Sequence, residues 1–523
     1  MSAHRLTRRS LLASVAGVAA GGLLRPGRAL AALDPSPAPV LEGRWVGALS
    51  SRPRTVELAG VADLLGVEWQ GPARARVELR FRDGEGSWSR WVSAASHGHG
   101  PDEPESPARR VGDPVWTGGA TAVQLRCAPA LSGVRLHLVD VSAGVGARAM
   151  AMRIGALAHG AALEQATPVL DAGPGQPPII ARRAWARGMA PPSVAPAYGA
   201  VRMAFVHHTE NPNGYSPGEV PAMLLAIYAF HRYVNGWDDI GYNFVVDLYG
   251  RIFEARAGGI DEPVVGAHAG GYNYASSGVA VLGSFMSVPV SAPARRALER
   301  LLAWKLSLHG VPAEGSLTVR VSAAGARFSR FPANARVPLP RVAGHRDGDS
   351  TDCPGNVLYG ELPGIRSGVR RLAPRPARAT LALAAPAPAG EQGAAAPTTG
   401  APTAQGPTLA GTLRFLDGTP IAGAPIVLQA RAVSRRGEVV SERTVAEVTS
   451  DPQGQWSLPA TFATGRSGLW LRALCTGAPG TGAVLSDPLH VRLSSPVSPP
   501  VAPAPGSTAP VPTSPGPAQA PSS

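Results

Sequence analysis

The sequence predicts a multidomain chain. A central α/β domain, with a mixed β-sheet and flanking helices, is set between two all-β, sandwich-like modules. Three observations carry this. Short alternating apolar runs dominate residues 35–150 and 409–493. Residues 177–375 instead alternate strand-like runs with long amphipathic stretches. Glycine and proline, 62 and 53 of 523 residues, are numerous enough to build turn-rich β modules and linkers.

Residues 1–31 read as a removable export signal. Arg5, Arg8 and Arg9 precede an apolar stretch, Leu11 to Leu24, and Ala29-Leu30-Ala31 is a small-residue cleavage site. Thr7-Arg8-Arg9-Ser10-Leu11-Leu12 resembles the twin-arginine export motif. Gly, Ser and the Arg25/Arg28 pair interrupt the run, which argues against a membrane anchor. Basic charge comes almost wholly from arginine, since Lys305 is the only lysine. Loss of residues 1–31, with five arginines and no acids, lowers the net charge from +13 to +8.

In residues 35–150, Val77, Leu79 and Phe81 alternate with polar neighbours, as do Val123, Leu125 and Cys127. Trp69, Trp88, Trp91 and Trp116 supply packing surface for a sandwich or jelly roll. Residues 150–176 read as a connector. In residues 177–375, Val201–His208, Asn243–Asp247 and Gly278–Gly283 are strand-like. Ser216-Pro217-Gly218-Glu219 forms a capping box with an early proline, and Leu224, Ile227, Tyr228 and His231 follow at helical spacing. Ser291 to Leu308 and Val357 to Leu372 are two further helices. Residues 376–408 are Ala/Pro/Thr-rich and read as a linker, 409–493 as a small β-sandwich, and the proline-rich 494–523 as a disordered tail.

Three cysteines cannot make a disulfide framework. Cys127 and Cys475 fall in strand patterns and read as buried thiols. Cys353 stands eight residues after His345, and His207-His208 ends the apolar run Ala204-Phe205-Val206. Two imidazoles and a thiolate are good Zn2+ ligands, and three protein ligands leave a fourth tetrahedral position for water. By residue type alone, a buried thiol and a structural histidine fit the same pattern.

The flanking residues narrow the choice. Phe205-Val206-His207-His208-Thr209, Gly236-Trp237-Asp238-Asp239-Ile240-Gly241-Tyr242-Asn243-Phe244, Gly266-Ala267-His268-Ala269-Gly270-Gly271-Tyr272-Asn273, and Gly344-His345-Arg346-Asp347 with Asp352-Cys353-Pro354-Gly355 occur in one order. Together they resemble the peptidoglycan recognition proteins, or type 2 N-acetylmuramoyl-L-alanine amidases, over residues 177–375. The stretch around Ser322–Pro338 looks like the longer actinobacterial versions, and the module at 35–150 looks, more loosely, like the one preceding the amidase there. The resemblance implies zinc held by His207, His345 and Cys353, with His208 structural. It implies catalytic roles for Tyr242 and Thr351 and a substrate groove lined by His268 and Asn273. Family members that only bind the wall have commonly lost a zinc ligand; all three are present here. The alternative is a non-hydrolytic peptidoglycan-binding protein with a structural zinc.

Other candidates read as structural. Asp238-Asp239 fits a turn, His231 a core position, and Arg295-Arg296 a solvated helix face. There is no phosphate loop, dinucleotide fingerprint or clustered basic helix. The expected partner of this basic, exported chain is therefore an anionic cell wall, not nucleic acid.

Overall fold

In the computed structural model the described residues are 39–72, 75–94, 99–102, 109–141, 175–384, 408–433, 439–459, 469–477 and 481–491. The export signal, most of the connector, residues 385–407 of the linker and the tail lie outside them.

Six strands build the central sheet, in the order Val342–Gly344, Met203–His208, Ser276–Val281, Phe244–Val246, Ile252–Glu254 and Ile179–Ile180. Only the pairing of Phe244–Val246 with Ile252–Glu254 is antiparallel; the others are parallel. Met203–His208 and Ser276–Val281 are buried at every position, as parallel strands covered on both faces must be.

One face is covered by the helices Ala292–Leu308 and Asn356–Leu372. Ser291 caps the first, its Oγ accepting from Ala294 N at 3.2 Å. Leu298, Leu301 and Leu302 meet Leu358, Leu362 and Ile365 over Val206, Phe244 and Val279. The other face carries the helix Val220–Ala229, preceded by a single 3-10 turn at Pro217–Glu219. Its capping box forms, with Ser216 N donating to Glu219 Oε2 at 2.8 Å.

This second helix is apolar around almost its whole circumference, so the sheet cannot cover it alone. The N-terminal module does the rest. Leu64, Trp116 and Val139 pack with Leu224, Ile227 and Phe230. Gly66 lies so close to Phe230 that a Cβ there would fall 2.0 Å from the ring. Trp116 N donates to Asn211 Oδ1 at 2.7 Å. The module thus shares a core with the central domain.

Within the N-terminal module, Val77, Leu79 and Phe81 point inward as the alternation requires. Trp69 and Trp116 are buried, whereas Trp88 and Trp91 are half-buried under Arg80 and Arg126. Hydrogen bonding joins its seven strands into one continuous sheet. The 17-residue strand Arg54–Gln70 is the reason. It pairs with Val115–Ala128 and, past bulges, with Leu131–Asp140 as well.

The C-terminal strands form two sheets. Here the linker expectation needs correction. Ala377–Ala379 and Ala382–Ala384 pair with Thr408–Phe415 and belong to the first of these sheets. Alanine has little strand preference, so pairing with an available partner, not composition, decides their state. Arg431 and Arg472 from the second sheet clamp Asp261 and Glu262 of the central domain in a buried ion cluster. Among the described residues no helix is long and apolar enough to cross a membrane.

Candidate metal centre

The sheet topology explains why the key histidines meet. Met203–His208 and Val342–Gly344 are adjacent and parallel, with Gly344 opposite Val206. His207 near the end of one strand and His345 just past the other therefore emerge at the same carboxyl edge, where open α/β sheets commonly place their sites. Cys353 returns to this edge by a short loop. Arg346 N donates to Cys353 O at 3.0 Å, and Cys353 N donates to Thr351 Oγ1 at 3.0 Å. His208 N donates to the Cys353 sulfur at 3.4 Å.

One ligand atom each from His207, His345, Cys353 and His99 lie within 4.8 Å of one another. His207 Nδ1 is 3.7 Å from Cys353 Sγ and 3.3 Å from His99 Nε2. His99 stacks on His345, with ring centres 4.6 Å apart and planes 6° from parallel. Each imidazole has its distal nitrogen held from behind. His207 Nε2 is 3.1 Å from His268 Nδ1, His345 Nε2 is 2.8 Å from Asp349 Oδ2, and His99 Nδ1 is 3.2 Å from Asp113 Oδ1. Such outer partners fix the tautomer and aim the other nitrogen.

The donor set suits Zn2+. Bonds of about 2.0–2.1 Å to nitrogen and about 2.3 Å to sulfur at tetrahedral angles imply ligand edges of about 3.3 and about 3.6 Å. Two of the edges here, from His207 to His99 and from His207 to Cys353, are 3.3 and 3.7 Å, and all the ligand atoms lie within 4.8 Å. Burial depresses His207 far below the usual imidazole range, reinforced by the neighbouring imidazoles, and pushes the Cys353 thiol well up. A cation among them reverses the second effect, since a coordinating thiol is deprotonated.

Tyr242 stands beside the cluster, its ring 5.5 Å from those of His207 and His99. Burial raises its hydroxyl well above the ordinary value, so it stays protonated and able to donate. Thr351 uses its oxygen as an acceptor for the Cys353 turn, leaving the hydroxyl hydrogen as its donor. Asn273 Oδ1 accepts from His268 N and Ala269 N at 2.8 and 3.0 Å. His208 is tied into the fold on both ring nitrogens: Nε2 is 2.9 Å from Glu210, and Nδ1 accepts from Phe285 N at 3.4 Å. Asp238 and Asp239 pair with Arg256 and Arg182, at 2.5 and 2.6 Å.

Two expectations change. The expected open fourth position has a neighbour: a ligand-type atom of His99, from the N-terminal module, lies within 4.8 Å of those of His207, His345 and Cys353. His268 and Asn273 do not line an open groove either; both are buried. His268 backs His207, and Asn273 is covered by residues 100–102. The motif residues by themselves describe an isolated domain and carry no trace of a neighbour seated on it. The signal that was there is the run Ser96-His97-Gly98-His99-Gly100, histidines set among glycines between two β strands. Asp349 and Asp113 carried no sequence signal.

With this geometry in place, comparison with known proteins is decisive for the central domain. Residues 197–356 match the family described as N-acetylmuramoyl-L-alanine amidase. This central domain belongs to the peptidoglycan recognition protein and type 2 amidase family. A second match, over residues 48–155, is to the family described as Rv3811 N-terminal galactose-binding domain-like. Family relatives include peptidoglycan-recognition protein SC2 of Drosophila melanogaster, 27% identical over 184 residues, or 35% of this chain and 84% of that protein. Human N-acetylmuramoyl-L-alanine amidase is 30% identical over 209 residues, or 39% of this chain but only 31% of the human protein. Among solved structures, Drosophila PGRP-LB is 25% identical with a TM-score of 0.28, covering 35% of this chain and 91% of that one. As an amidase-family chain with a galactose-binding-like module in front, this protein falls within peptidoglycan amidase or binding activity.

Proposed function

We propose that this chain is a zinc-dependent hydrolase that cleaves the amide between N-acetylmuramic acid and L-alanine in peptidoglycan. The single observation that carries the reading is the convergence of His207, His345 and Cys353 beside Tyr242. The family match and the amidase-named relatives support it. His207, His345 and Cys353 would hold the metal. When bound, Zn2+ supplies Lewis acidity, which acidifies water and polarises a carbonyl.

The protein's own groups do the rest. Asp349 and His268 keep two ligand imidazoles aimed at the centre. Tyr242, held protonated by burial, donates to the oxygen that gains charge as the amide is attacked. The Thr351 hydroxyl adds a second, uncharged donor. Asn273 Nδ2, which donates to Gly100 O as the chain is folded, would donate to a peptide carbonyl of the substrate in its place. His268, whose pKa burial lowers to about 3, is neutral at physiological pH and orients His207 instead of acting as an acid.

The test is digestion of purified cell wall by the full chain, followed by labelling of new amino termini. New alanine termini that disappear with Cys353→Ala support the reading; none from a metal-loaded protein overturns it. A second reading, a wall-binding protein with a structural zinc, draws on one observation. Four protein ligands are the pattern of a structural zinc site. It predicts retention on wall without any new alanine terminus. We further read the protein as exported by the twin-arginine route and acting at the cell envelope. Arg8→Lys with Arg9→Lys should then hold it inside the cell.

A further inference from the structure

We infer that His99 is a fourth metal ligand supplied by the N-terminal module, and that residues His99–Asp102 seat in the substrate groove as a built-in plug, so that the chain is latent as folded. The inference rests on the amidase reading for what the plug prevents, but the ligation itself does not.

Four observations converge. His99 Nε2 sits at a tetrahedral edge distance from His207 Nδ1, and the His99 side chain is only 4% exposed. Asp113, from the same module, holds the opposite nitrogen, which is how protein ligands are normally aimed. Beyond His99 the segment uses the groove's own polar groups. Asn273 Nδ2 donates to Gly100 O at 2.9 Å and to Asp102 Oδ1 at 3.1 Å, and Gly271 N donates to Asp102 Oδ1 at 2.7 Å. A backbone carbonyl and a carboxylate are the groups a stem peptide carries, so the segment offers the groove what a substrate would. Finally, Gly100 lies against Phe328 so closely that a Cβ would fall 2.5 Å from the ring.

A hydrolytic metal site keeps one position for water, and a four-ligand site of His and Cys does not. With His99 engaged, the position and the groove are both filled by the chain itself. Activity then requires the segment to leave. Full release of the module is not needed, because the module stays docked through Leu64, Trp116 and Val139.

The test uses the full chain loaded with Co2+ in place of zinc, with azide as a small probe ligand. The wild type should need about tenfold more azide than His99→Ala for the same shift in its visible spectrum. Wall hydrolysis should rise about tenfold or more in His99→Ala, the factor expected if the plug is seated about nine-tenths of the time. Asp102→Ala, which keeps every ligand residue, should gain a smaller azide response and stands in if His99→Ala fails to fold. Equal azide responses in wild type and variants overturn the inference. The expected azide difference without hydrolysis by either chain upholds His99 ligation and overturns the amidase reading instead.

Discussion

His99 Nε2 lies 3.3 Å from His207 Nδ1, although 108 positions and a module boundary separate the two residues. One imidazole comes from a β module, the other from the edge of the central sheet. Their meeting depends on the shared core at Leu64, Gly66 and Phe230. The candidate metal centre is thus a product of docking as well as of folding.

The metal should depend on groups that do not touch it. Asp349→Asn keeps size but weakens the hold on His345 Nε2. Metal affinity should fall by roughly 10–100-fold, as for other outer-shell losses. Competition with a chromogenic chelator measures it. An unchanged affinity would show that Asp349 does not orient the ligand. Cys353→Ala should lose more, because it removes a ligand outright.

Tyr242→Phe separates catalysis from ligation. The phenyl ring preserves packing against His207 and His99 but cannot donate. Wall hydrolysis should fall by about 10²–10³-fold, the usual effect of removing one such donor. Metal content, read by atomic emission, should stay the same. A parallel loss of metal would reassign Tyr242 to holding the site together.

The ion cluster between the central domain and the C-terminal module should matter for stability. Arg431 bonds both Asp261 and Glu262, at 2.8 and 2.9 Å; Arg431 and Glu262 are buried and Asp261 is partly so. Arg431→Ala leaves Asp261 and Glu262 to share Arg472 as their remaining ion-pair partner, with Lys305 nearby. Breaking a buried pair from one side costs about 3–5 kcal/mol, so the Tm should drop by several degrees. Removing the charge on both sides, with Glu262→Gln added, should recover part of the loss. No change in Tm with Arg431→Ala would mean that the cluster is balanced by desolvation.

Acid should destabilise the chain through buried neutral imidazoles. His231 is enclosed, accepts from Gly241 N at 3.2 Å and stacks on Trp237. Burial, then the nearby His99, lowers its pKa from 6.5 to about 3; Arg256 acts in the same direction and Asp113 against it. The unfolded chain therefore takes up a proton below about pH 6.5 that the folded chain refuses until about pH 3. Its contribution is complete above pH 6.5 and lost as pH falls, at roughly 1.4 kcal/mol per pH unit. His231→Gln keeps an acceptor for Gly241 and should flatten this part of the Tm-against-pH curve. An identical acid limb in the variant would remove His231 from the account.

Much of the central domain was legible because its signals are local. The capping box at Ser216 and Glu219, the cap at Ser291 and the apolar faces of Ala292–Leu308 and Asn356–Leu372 are short-range patterns that short-range physics reads out. Four ordered motifs point to His207, Tyr242, His268, Asn273, His345, Thr351 and Cys353. What they did not contain was the environment. Asp349 looks like any loop acid until it is found 2.8 Å from His345. Residues 377–384 look like linker until they pair with Thr408–Phe415.

The sequence by itself determined the family of the central domain, the three candidate ligands that this domain owns and the β character of its neighbours. These depend on residue type, order and periodicity, which the chain carries wherever it goes. Only the tertiary structure decided that a third imidazole, that of His99, comes within reach of them and that a carbonyl and a carboxylate from residues 100–102 cover Asn273. The physical reason is that coordination and burial depend on distance in space. Where His99 comes to rest is fixed by an apolar helix, Val220–Ala229, that needed a second module to cover it.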